Sequence, residues 1–343
     1  MGVPVRARML VGISTVMLVA ACGTGAPAGS EQAQTSGQAA GQTATQSASS
    51  ASPSVEIVPK RTDIVYADDG MDEHKLDLYM PNADTDKGAG PFPTVVFVHG
   101  GGWAGGDKAD INNEEIQMNQ LRDVLLEHGY AIASVNYRLM PNGTFPEPMQ
   151  DVAAAVRYLK KNAGQYGLDA QRFAMLGDSA GGHLATMVGM TPDNKELQGT
   201  IGVTDTDTKV DAIVDYYALY DLTKRTEDQQ NGPCQRAKPG AESSHGQLIG
   251  ADPDTPDGEK VAAKASPITY VNANTPPVLM FHGTQDCTTP LPQAQRFEAA
   301  LKAAGVPNEL TVVDGAEHAA PAFFESQENK DQLIRFLDTH VKN

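Results

Sequence analysis

Residues Gly177-Asp178-Ser179-Ala180-Gly181 sit where an apolar strand, residues 172–176, passes directly into a helix, residues 181–190. A chain that changes from extended to helical within five residues must turn sharply there. Glycines two positions either side of Ser179 remove the bulk that would block such a turn. The turn lifts the serine hydroxyl off the strand end, and the first amides of the helix point back toward it. Strand, tight turn and helix in immediate succession form the basic unit of α/β architecture.

The remaining pattern repeats that unit. Residues 64–66 and 75–80 alternate as strands around the turn Asp68-Asp69-Gly70. Residues 94–98 are a continuous apolar run of the kind that fills a buried parallel sheet, 130–135 read as another buried strand, and 210–215 and 278–282 also read as strands. Residues 309–313 form one more strand, and 116–128, 150–162, 291–304 and 327–341 have helical spacing. The expected fold class is α/β, a mostly parallel central sheet with helices on both faces. Between 220 and 266 the chain turns polar and loses its period, so an irregular insertion over the site is expected there.

A serine hydroxyl attacks a carbonyl only when a base takes its proton and a carboxylate holds that base in the right tautomer. His318 lies in the turn-rich stretch just after strand 309–313, at the sheet edge where doubly wound folds place their sites. The loop after 278–282 ends in Gly283-Thr284-Gln285-Asp286, which makes Asp286 the natural acid. Glu317 is the alternative, but neighbours in sequence seldom reach each other's ring. His99, His183 and His282 are read as structural. His128, at a helix end, and His340, in the last helix, are read as exposed. After strand 94–98 comes His99-Gly100-Gly101-Gly102-Trp103, whose glycines let backbone amides turn inward. Two of these amides, with that of Ala180, would make an oxyanion hole. Trp103 either walls the acyl pocket or anchors the loop.

These motifs, with Gly106-Asp107-Lys108, Tyr137-Arg138-Leu139 and Ala265-Ser266-Pro267-Ile268, resemble the α/β-hydrolase superfamily. More narrowly, the chain is similar to hormone-sensitive-lipase-like esterases and the bacterial acetylxylan and feruloyl esterase group, over about residues 75–325. The resemblance implies an α/β-hydrolase fold, a Ser179-His318-Asp286 triad and oxyanion amides from Gly101, Gly102 and Ala180. It also implies hydrolysis of short acyl or hydroxycinnamoyl esters, including those of plant polysaccharides and phenolics, without metal or cofactor. The 220–266 stretch departs from a standard helical cap. The competing readings are a serine peptidase related to prolyl oligopeptidases and a non-catalytic surface binder.

The amino terminus sets the expected location. Arg6 and Arg8 precede an apolar run, residues 9–20, that is too short to span a bilayer. Leu18-Val19-Ala20-Ala21-Cys22 resembles a bacterial lipobox. Residues 1–21 are therefore expected to be a signal peptide, Cys22 to be lipidated, and 22–54 to be a flexible tether. The hydrolase domain would then span 55–343, extracellular and held on the cell membrane only by the anchor. In that oxidising setting Cys234 and Cys287 pair more naturally as a disulfide than as free thiols. The formal charge is −17, or −19 once Arg6 and Arg8 leave, which disfavours nucleic acid and anionic head groups as partners. It also favours a neutral or cationic substrate, unless the local field near the site opposes the global one.

Overall fold

The computed structural model describes residues 61–81, 90–235 and 238–342. The expected leader, Cys22 and tether lie outside them. The described residues fall within the unit Val55–Asn343.

Eight strands form one sheet: β1 (Arg61–Val65), β2 (Lys75–Tyr79), β3 (Phe92–Val98), β4 (Ala131–Val135), β5 (Leu168–Asp178), β6 (Ala212–Tyr216), β7 (Val278–Gly283) and β8 (Asn308–Val313). Their order is β1-β2-β4-β3-β5-β6-β7-β8. The β1–β2 and β2–β4 pairs are antiparallel, and all others are parallel. After β4 the chain crosses to the far side of β3 and continues as β5. The strand order thus reverses between β3 and β5, and doubly wound sheets open their binding crevice at such a point, at the carboxyl ends of the strands.

Alternate side chains explain why the central strands are apolar throughout. Val96 and Val98 of β3 face one layer, while Val95 and Phe97 face the other. Helices Glu147–Lys161 and Ala180–Met190 cover the first face, continued by Pro292–Ala303 beneath β6 and β7. Helices Met118–Glu127 and Gln327–His340 cover the second. The edge strands are less enclosed, with Val65 and Val312 exposed.

The α/β class and the expected elements are all present, with ends shifted by a few residues. The largest shift is in β5, which starts at Leu168 and pairs there with Phe92 across a register break. The 220–266 stretch is more ordered than its sequence suggests. It holds short helices Arg225–Asn231, Ser244–Ile249 and Pro256–Lys264. Two of them start on side-chain caps: Ser243 accepts from the Gly246 amide and Thr255 from the Gly258 amide. Such short helices need no apolar stripe of their own, so no helical period marks them.

Candidate active site

Ser179 has φ +51° and ψ −119°, a backbone conformation that costs a residue with a Cβ about 1–3 kcal/mol. Its surroundings hold it there. The Ser179 amide donates to the Tyr216 carbonyl at 2.9 Å, extending the β5–β6 ladder one residue past the strand. Gly181 packs so closely on β3 that a Cβ would lie 2.0 Å from the Val98 carbonyl oxygen. Helix Ala180–Met190 begins at the next residue, so the Ala180 amide belongs to a first turn that has no intrahelical acceptor.

Loops from the carboxyl ends of β7 and β8 complete the group. Asp286 follows β7 by three residues and is fully buried; His318 follows β8 by five and is half-buried. The Asp286 carboxylate accepts from His318 Nδ1 at 2.7 Å. With the ring proton on Nδ1, Nε2 is left as an acceptor, and the Ser179 hydroxyl donates to it at 2.9 Å. Asp286 also accepts from the amides of Thr288 and Thr289, both at 2.8 Å, and its Oδ2 lies 2.9 Å from the Thr289 hydroxyl. Burial pushes its carboxyl up, but the hydrogen bond and charge of His318, with His282 and the Thr289 amide, outweigh this and hold it below the ordinary value. Glu317, the alternative acid, is exposed.

The glycine loop after β3 faces the serine. Its base is fixed: His99 stacks on Tyr137 at 4.4 Å, and the Tyr137 hydroxyl donates to the His99 carbonyl at 2.9 Å. Gly101, at φ +105°, packs on its own loop so tightly that a Cβ would meet the Gly105 carbonyl oxygen at 2.2 Å. Among the described residues, no protein acceptor engages the amides of Gly101 or Gly102. Trp103 is buried, and its ring N–H donates to His183 Nδ1 at 3.3 Å. Because it also borders the cavity, it is both wall and anchor.

A cavity of about 270 Å³ opens over Ser179, lined by Gly101, Gly102, Ala180, His318 and Thr289 among others. A second, of about 640 Å³, adjoins it beneath the 220–266 insertion and shares Gly102, Arg225, Ser244 and Thr288 with it. The insertion therefore stands over the site, as its sequence led one to expect. Cys234 and Cys287 are joined by a disulfide with Cα atoms 5.6 Å apart, tying the insertion to the loop beside Asp286.

The other histidines are bound elsewhere. His183 also bonds the Ala265 carbonyl at 2.7 Å, and the His282 ring bonds the Thr289 carbonyl. His128 and His340 are half-buried rather than exposed. His128 Nδ1 donates to the Val124 carbonyl, and His340 packs on Phe336. Among the described residues, no group of three or more His, Cys, Asp or Glu side chains is placed to hold a metal ion.

Two residues near the site are not legible as functional in the sequence. Asp178, in a free position of the glycine–serine motif, accepts from the Gly100 amide at 2.9 Å and so ties the elbow to the glycine loop. Burial raises its carboxyl to about 6, despite the opposing His318 charge and Gly100 amide. Arg225 is buried in the insertion and borders both cavities. Motif spacing gives no signal for either, although an aspartate next to the serine is a visible prompt.

Residues 76–301 match the BD-FAE family, a span that includes Ser179 and Asp286 and ends before His318. A similar sequence is "Probable carboxylic ester hydrolase LipM" of Mycobacterium tuberculosis, 31% identical over 70% of this chain and 51% of its own. The chain spans about half the length of the curated relatives it matches. A truncated carbohydrate esterase from gut microbiota shares the fold, with a TM-score of 0.72, 24% identity, and coverage of 84% of this chain and 99% of that one. A propionate-bound thermophilic esterase from Thermogutta terrifontis matches with a TM-score of 0.59 and 25% identity, over 83% and 93% of the two chains. The chain has the α/β-hydrolase fold and belongs to the BD-FAE family.

Proposed function

We propose that the protein is a serine carboxylic-ester hydrolase that works through an acyl-enzyme. One observation carries the reading: the hydrogen-bond chain from Ser179 through His318 to Asp286, at 2.9 and 2.7 Å, beside the Gly101 and Gly102 amides, which no acceptor among the described residues engages. His318 Nε2 takes the Ser179 proton as Oγ bonds to the ester carbonyl carbon. The amides of Gly101, Gly102 and Ala180 receive the oxyanion. Asp286, ionised at neutral pH, stabilises the imidazolium and keeps its ring oriented. His318 then returns the proton to the departing alkoxide as the carbon–oxygen bond breaks. Water, deprotonated by the same nitrogen, releases the acid and restores Ser179.

The preferred esters in this reading carry short acyl or hydroxycinnamoyl groups, with plant polysaccharide or phenolic alcohols. The small cavity over Ser179 and the propionate bound by the Thermogutta relative support short acyl chains. The wider cavity beside it suits a bulky alcohol. Lipidation at Cys22 and an extracellular position on the cell membrane belong to the same proposal, supported by the amino-terminal sequence pattern. The test is a panel of acetyl, propionyl, butyryl, feruloyl and caffeoyl esters, with peptide amides alongside. Acid release from esters alone is expected. Release of none, or turnover of peptides in preference, overturns the reading.

A further inference from the structure

Arg225 is 6% exposed, and among the described residues no carboxylate lies within ion-pair distance of it. Arg157, also buried, gives its guanidinium to the carbonyls of Gln198, Ile201 and Val203. Arg225 is served less well. Nη1 donates to the Ser244 hydroxyl at 2.6 Å and to His245 Nδ1 at 3.0 Å, while Nη2 reaches the Thr288 carbonyl only at 3.4 Å. Nε is buried without any acceptor among the described residues. A guanidinium carries five N–H donors, so this one has donors to spare.

Its charge likewise has no ion-pair partner among the described residues. Burial lowers its pKa to about 10, so it stays protonated at neutral pH. Burial and the Arg225 charge together push His245 down to about 3, so that ring is a neutral acceptor. Asp286 is the anion that feels Arg225, but its oxygens already serve His318, Thr288 and Thr289. Burying an unpaired guanidinium is costly unless something completes it. Here Arg225 borders both the cavity over Ser179 and its wider neighbour.

We propose that Arg225 receives a substrate carboxylate, making this an esterase for esters that carry a free acid group near the scissile bond. The inference rests on the ester-hydrolase reading of the same site. A planar guanidinium fork matches a carboxylate, and a water-poor pocket strengthens the pairing. The local field would thus oppose the protein's negative overall charge. The carboxylate could belong to the acyl group, as in a half-ester of a dicarboxylic acid, or to the alcohol, as in a hydroxy-acid or uronic-acid unit.

Matched substrate pairs test the proposal and separate the two sources. The acyl arm compares 4-nitrophenyl monoadipate with its methyl ester. The alcohol arm compares acetylated 3-(4-hydroxyphenyl)propanoate with its primary amide. The expected result is a higher kcat/KM for the charged member of one pair. That preference should fall about 10- to 100-fold in Arg225→Gln and partly return in Arg225→Lys. A merely structural arginine would lower both members of a pair together. If Arg225→Gln does not fold, the wild type still decides: free 3-(4-hydroxyphenyl)propanoate or adipate should inhibit neutral-ester hydrolysis more than the matching amide. Neutral esters hydrolysed with no charged preference and no such inhibition overturn the role of Arg225 alone. No turnover of any ester overturns the hydrolase reading with it.

Discussion

The Nε2 of His318 lies 2.9 Å from the Oγ of Ser179, across 139 residues of sequence. The contact exists because β5 and β8 run parallel in one sheet and end at the same rim. Ser179 is held by its strained turn and His318 by Asp286, so the pair is set before any substrate arrives. Preorganisation of this kind is what acyl transfer requires of a protein.

Asp286 fixes the tautomer that leaves Nε2 free, so Asp286→Asn should leave the fold intact and lower kcat about 10⁴-fold. Steady-state kinetics on a neutral ester measure this. A loss of less than tenfold would assign the orienting role elsewhere.

Gly101→Ala places a methyl group against the Gly105 carbonyl at a φ of +105°. The loop must shift, moving its amides away from the oxyanion position. A fall in kcat of about 10²–10³ is expected, with KM changed far less. Equal effects on kcat and KM would point to a general disturbance of the pocket.

The Asp178 carboxyl titrates near 6 in the fold and near 3.8 in the unfolded chain. The native state therefore keeps an extra proton between those values. The stability this confers is complete below the unfolded value and is lost as pH rises through the folded one, by about 3 kcal/mol. Asp178→Asn keeps an acceptor for the Gly100 amide but cannot ionise. Its stability relative to wild type should rise by about that amount between pH 3 and pH 8. Denaturant unfolding at several pH values checks this, and parallel profiles would contradict it.

The Cys234–Cys287 bridge spans 53 residues. On chain-entropy grounds, the double variant Cys234→Ser/Cys287→Ser should lose about 4 kcal/mol against unfolding. Urea unfolding under non-reducing conditions measures the difference. A loss below about 1 kcal/mol would mean the insertion is held by its packing alone.

Much of this arrangement is legible in the amino-acid sequence, because its signals are local. Residues 94–98 read as a buried strand since both faces of β3 are covered. Gly181 reads as part of an elbow since only glycine tolerates the Val98 carbonyl so close. Asp286 and His318 are found from their positions after strands, even though nothing local shows that they meet. The insertion is where the sequence says least. Its short helices depend on caps at Ser243 and Thr255 and on packing, so a polar stretch without a period conceals them. Arg225 and Asp178 escape for a related reason. An arginine in a polar stretch reads as solvated, and only the folded chain reveals that it is buried without a carboxylate. The raised Asp178 pKa is likewise a product of burial, which spacing cannot report.

Covalent capture reads the reactivity of the Ser179 hydroxyl without any choice of ester. A fluorophosphonate should add one phosphonyl group per chain, on the peptide that contains Ser179. It should add none to Ser179→Ala, and should react much more slowly with His318→Ala. Ester turnover by Ser179→Ala should fall by about 10⁴-fold or more. Labelling at another residue, or undiminished turnover by Ser179→Ala, would contradict the account.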